Sequence, residues 1–305
     1  MGTGRMKRLV IALIALGLPA AGRGQAQPPS LSAARLHVSV ARDAGDVFVY
    51  RYTLENAAGS NAGIARMAID ISMPAGASAP SGAGLKNGPG YFVTSPGAVK
   101  SLKTGAPVPV GLSAPQPGWG TTVGTDATAR WVSVDDKSLV LPKQRLAGLS
   151  LASHGPPTLR RFALAPHVDP DTAPVTEAGD DPGEAERFRQ ELEQYIESRS
   201  VTGMTLAPAA PVTRTADALL ATLAGQVAQA RTLRWISTDA IAREITDKLQ
   251  AARSAISRRQ PEQAADILRT LRTDVAAQSG KALTAEAVAL VDLNIQYMLP
   301  LVAKP

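Results

Sequence analysis

Apolar residues recur at helical spacing through the last third of the chain and at strand spacing through its middle. From Trp235 to Gly280, Ile241, Ile245, Leu249, Ala252 and Ile256 fall a turn apart and make one stripe. Ala264, Ile267, Leu268, Leu271 and Val275 make a second stripe, and Val288, Val291, Ile295 and Met298 a third. Leu219, Leu220, Leu223 and Val227 place another helix behind Thr215. The ends are marked as well. Ser237 is expected to cap the first helix through its hydroxyl, with Asp239 at the positive end of the dipole and Ile236 and Ile241 at staple spacing. Arg258 and Arg259 close that helix, Pro261 opens the next, and Gly280 is expected at C′ with positive φ. Leu283, Thr284 and Val288 repeat the staple and cap. Four amphipathic helices of ~15 residues with short links cannot bury their stripes singly, so a bundle is expected. Their polar faces of Arg, Lys, Glu, Asp and Gln read as solvated surface.

Residues 34 to 168 alternate instead. In Val47 to Asn56, Phe48, Tyr50, Tyr52 and Leu54 face one way, and Arg51, Thr53 and Glu55 the other. Leu36, Val38 and Val40 alternate in the same manner, as do Met67, Ile69 and Ile71 within 64 to 72. Residues 129–134, 139–141, 146–151 and 161–164 are further strand candidates. Asn56 to Asn61 is a turn cluster, and 74 to 90, rich in Gly, Pro and Ala, is expected to be a long loop. Seven or so short strands between Gly/Pro turns predict an antiparallel β-sandwich of Ig-like type. The fold class expected is therefore α+β with two domains: this sandwich and a carboxy-terminal all-α helical bundle. A linker at 169–212, rich in Pro, Asp and Glu at its start, would join them. It holds one amphipathic helix at 185–198, with Phe188, Leu192, Tyr195 and Ile196 on one face, and reads as irregular from 200 to 212.

Two stretches resemble known families. Leu233-Arg234-Trp235-Ile236, then Asp247 to Ala252, then Gln263 to Leu268, then Gln278 to Ala287 resemble the FIMAH-type helical module over roughly 213–300. The most specific run holds Ala264, Ala265, Leu268, Leu271 and Val275, followed by Ala277-Gln278-Ser279-Gly280-Lys281, Leu283-Thr284 and Glu286-Ala287. Leu271-Arg272 and Asp274 stand where members carry a Phe-Ile pair and an Asn. The module is appended to many secreted bacterial enzymes and surface proteins and has no assigned catalysis, so the resemblance implies an accessory role. The succession Tyr50 to Asn56, Trp119, Trp131, Leu141-Pro142, Leu146 to Ser153, Pro156-Pro157 and Arg161 resembles an uncharacterised β-sandwich segment of secreted bacterial proteins. Lys143 stands where that segment has a Gly after the Pro, and Leu149 where it has a Phe.

The amino terminus adds a destination. Arg5, Lys7 and Arg8 precede an apolar run from Leu9 to Leu18, and small residues follow up to Ala26. That is the three-part pattern of a signal peptide over 1–26, too short for a bilayer of ~30 Å. Met6 offers an alternative start. A periplasmic or secreted location is expected, with no stable membrane insertion afterwards. The chain has no cysteine, which excludes disulfides, thiolate nucleophiles and Cys metal sites. Few aromatics and a mild, interspersed basic excess speak against nucleic acid as a partner.

Candidate chemistry is sparse. His167, Asp169 and Asp171 alternate on an extended segment, but two carboxylates fall short of a Ca²⁺ shell, and a solvated hinge is the simpler reading. Ser153 and His154 are sequence neighbours, which on a strand point to opposite faces. His37 reads as a strand residue, Trp119 and Trp131 as core, and Asp135-Asp136 as a turn pair. No catalytic, cofactor-binding or metal-binding residue is assigned and no cofactor is expected. The function expected is that of an exported, non-catalytic protein binding an unknown protein or an envelope polymer. The alternative is a secreted hydrolase-like enzyme using groups such as His154, His167 and Asp169, which would require those side chains in one cleft.

Overall fold

The computed structural model describes residues 27–43, 47–72, 109–114, 118–123, 128–175, 181–209 and 215–303. Residues 1–26, where a signal peptide is expected, and the expected loop at 74–90 lie outside them. The architecture is mixed α+β, with two antiparallel sheets and five helices, and the carboxy-terminal region is helical. The strands are β1 (Ala34–Asp43), β2 (Val47–Asn56), β3 (Ile64–Asp70), β4 (Pro109–Ser113), β5 (Trp119–Val123), β6 (Thr128–Ser133), β7 (Gln144–Ser153), β8 (Pro157–Pro166) and β9 (Val201–Pro208). The helices are α1 (Pro182–Arg199), α2 (Ala216–Thr232), α3 (Asp239–Ser257), α4 (Pro261–Ala277) and α5 (Ala285–Val302). One sheet runs β1-β2-β7-β4 and the other β5-β6-β3-β8-β9.

Alternation along the strands becomes the core between the sheets. Phe48, Tyr50, Tyr52 and Leu54 of β2 are fully buried, as are Met67 and Ile69 of β3. Tyr52 meets Trp131 of the other sheet edge-on, ring centroids 5.7 Å apart. Both tryptophans take the core positions expected of them, and each indole N–H finds a carbonyl: Trp119 donates to Ser138 at 2.7 Å and Trp131 to Ser113 at 3.0 Å. The buried tyrosine hydroxyls donate to Gly155 O and Leu206 O, and burial pushes both phenols well above their usual range. In β7 the apolar parity breaks between Leu146 and Leu149. The β2–β7 register shifts opposite Tyr52 and Thr53, and Gly148, at φ +86°, supplies the extra residue. That bulge returns Leu146, Leu149 and Leu151 to one buried face.

In the helical region each stripe is buried, though rotated slightly. Ala242 and Ala255 take core places in α3, while Ile241 and Ile256 are only partly covered. Thr238, not Ser237, caps α3, its hydroxyl accepting from Ile241 N. Ile236 therefore sits too far from the cap for a staple. It pairs with Leu283 instead, bridging the α2–α3 and α4–α5 turns, with Ser237 N donating to Ala282 O and Thr284 N to Trp235 O. Thr284 caps α5 as expected, and Gly280 has φ +70°, two residues past the last helical bonds rather than one. Arg234 and Arg259 follow α2 and α3 at φ +62°. Trp235 N and Gln260 N reach back to Ala230 O and Ala255 O, the six-to-one bond of a Schellman end built on arginine where glycine is usual.

Two further expectations need correction. The stretch 200–212 is not irregular, because β9 occupies 201–208 and pairs antiparallel with β8 over its whole length. Thr205, Leu206, Ala207 and Pro208 are all buried, so the second half of this strand is covered on both faces and shows no alternation to read. Residues 139–141 form only a bridge, between Val140 and Ile64. Among the described residues, α5 is the one helix long and apolar enough to cross a membrane. In this structure it is spent on packing against α2, α4, β1 and β8.

Candidate ligand cleft

Helix α1 starts at Asp181, whose carboxylate accepts from Gly183 N at 2.6 Å, with Pro182 in the first turn. It ends at Ser200, whose N–H donates to Glu197 O, and the chain enters β9 at the next residue. That direct junction fixes α1 over the outer face of the five-stranded sheet. Phe188, Leu192, Tyr195 and Ile196 share the face expected for them, yet all four are only half-buried, and α1 has no buried residue.

A cleft of about 550 Å³ lies between α1 and the sheet. Its floor follows from strand alternation. With Met67 and Ile69 inside, β3 turns Arg66, Ala68 and Asp70 outward, and β6 adds Thr128 and Arg130. Strand β8 contributes Arg161, Ala163 and Ala165, and β9 contributes Thr202 and Met204. Gly203 is required here, since a Cβ would lie 2.7 Å from the Phe162 ring. Glu193 and Glu197, one turn apart, line the helix side. At one point the walls meet, where Arg66 Nη2 lies 2.6 Å from Glu193 Oε1. Asp70 turns a carboxylate oxygen to Ser72 N at 2.8 Å.

The residues singled out from sequence lie elsewhere. Asp169 accepts from Asp171 N at 3.0 Å, a local turn, and His167 faces Asp136 at 3.7 Å. No group of three metal-ligating side chains occurs among the described residues. His154 and His167 flank the two ends of β8, whose ten residues span roughly 30 Å. Ser153 is buried, and its hydroxyl accepts from Gly155 N at 3.0 Å. Asp135 caps the short 3-10 turn Asp136–Ser138, and the Ser138 hydroxyl at 2.6 Å holds its carboxyl below the usual range. His37 stands on the exposed face of β1, 3.3 Å from Glu55.

None of the cleft residues was singled out from the sequence as a site residue, and Arg161 entered only through the β-sandwich resemblance. Arg66, Arg130 and Arg161 come from three strands, and Glu193 and Glu197 from a helix. The only available signal was that outward strand positions carry arginine and that two glutamates share one helix face. No protein-family model matches the chain, and no curated protein or solved structure matches it.

Proposed function

We propose that this chain is an exported, non-catalytic binding protein of the cell envelope or extracellular space, with the α1 cleft as its binding surface. In this reading residues 34–168 form an Ig-like β-sandwich domain, and 213–300 are the FIMAH-type accessory module. The observation that carries it is the cleft itself: an open concavity with charged walls and an apolar floor, the usual form of a recognition site. Its lining includes no histidine and no base positioned on a nucleophile, whereas the hydrolase-like alternative needs His154, His167 and Asp169 together. The partner is a protein or an envelope polymer.

Co-sedimentation of the chain from Gln27 onward with peptidoglycan, insoluble polysaccharide and the producing cells' envelope fraction tests this reading. Retention on one of them, reduced when Arg161→Glu reverses the charge at that position, is the expected result. Uniform failure to sediment with any of them would remove the envelope role.

A further inference from the structure

The cleft carries both signs of charge. The sheet wall presents Arg66, Arg130 and Arg161 together with Asp70, and the helix wall presents Glu193 and Glu197. Arg66 and Glu193 satisfy each other at 2.6 Å. Arg161 and the carboxylate of Glu197 have no hydrogen-bond or ion-pair partner among the described residues. Between the walls lie Ala68, Ala163, Ala165 and Met204, a largely apolar floor. A simple anion would face the glutamates, and a simple cation would face the arginines. A molecule with a carboxylate at one end, an ammonium at the other and a small-side-chain body between them meets all three surfaces.

We propose that this cleft binds short zwitterionic peptides. The terminal carboxylate lies toward Arg161, the terminal ammonium toward Glu197, and the body across the alanines. The volume of about 550 Å³ sits within the ~300–1,000 Å³ of typical ligand sites. Charge-assisted bonds at both ends supply orientation, because reversing the peptide sets each terminus against its own sign. The assignment rests on the binding reading above and names its ligand class.

Isothermal titration of the chain with tetra-alanine, its N-acetyl form, its C-amide form and the doubly capped form tests it. Tetra-alanine is expected to saturate a single site. Each single cap should weaken binding about tenfold, the loss of one charge-assisted bond. Arg161→Gln should weaken tetra-alanine and leave the amide form no worse than the free acid, and Glu197→Gln should do the same for the acetyl form. This pairing of variant and cap is a readout that misfolding would not reproduce. Equal binding of all four forms, or no heat with any, overturns the peptide site. Envelope retention persisting in that case would leave the broader binding role standing, so the two failures are separable.

Discussion

Helices α1 and α5 are each 18 residues long, and both lie against the sheets. Their commitments differ. α5 buries Ala287, Leu290, Val291, Leu293, Asn294, Ile295, Met298 and Val302, whereas α1 buries nothing. α5 is also where the helical region joins the sheets. Asn294 donates to Pro157 O at 2.6 Å and to its own helix at Leu290 O. Tyr297 meets Phe48 with centroids 6.3 Å apart, Arg42 donates to Gln296 O, and Gln226 of α2 reaches Thr158. α1 has half-covered apolar side chains and the Arg66–Glu193 pair. One helix is structure throughout, and the other leaves surface available for a partner. Local stability should follow, with α1 opening at lower free energy than α5.

Matched truncations test that contrast most severely. Ile295→Ala in α5 should cost about 2–5 kcal/mol, since a fully buried isoleucine leaves a cavity. Ile196→Ala in α1 should cost about 1 kcal/mol or less. Urea unfolding midpoints measure both, and equal costs would abolish the distinction.

Asn294→Ala comes next, at about 1–3 kcal/mol, because Pro157 O loses its donor in a buried place. Its effect should reach both helices and sheets in hydrogen exchange. Protection lost only within α5 would mean that the junction holds without it.

Glu193→Gln should cost only about 0.2–1 kcal/mol, as expected of a half-exposed ion pair. Here the expected signature is faster amide exchange confined to α1, with the global transition unmoved. A shifted global midpoint would show α1 to be part of the cooperative core.

The smallest effect concerns the bundle alone. Arg253 donates to both carboxylate oxygens of Asp217, and that hydrogen bond, aided by the guanidinium charge, holds the carboxyl below 3.8. A lowered folded value means that the pair's stabilisation is complete above the ordinary carboxylate value and is lost as pH falls through the lowered one. The stability gap between wild type and Asp217→Asn should be present at pH 7 and close below about pH 4. A gap independent of pH would show that the pair contributes nothing electrostatic.

The elements themselves were legible to different degrees. The β2 residues and the α2 to α5 stripes read correctly because one face is buried and the other wet. β9 was hidden because both faces of its second half are covered. The turn at Lys143 shows a subtler signal: Gln144 N donates to Leu141 O, Pro142 takes the second position, and Lys143 adopts φ +71°. That third position of a type II turn favours glycine. The cleft was not legible as a site, because each arginine alone is an ordinary outward strand residue.

Periodicity and caps are local properties, so the chain by itself determined where most helices and strands lie, which faces they bury, and that Trp119 and Trp131 belong inside. Which distant residues face each other is set by sheet order, register and the angle at which a helix leaves a strand. Tertiary structure alone therefore put Glu193 against Arg66, seated Asn294 on Pro157, and joined β9 to β8 so that α1 is held across an arginine-bearing face. Electrostatic pairing acts over a few ångströms of space, whatever the separation along the chain.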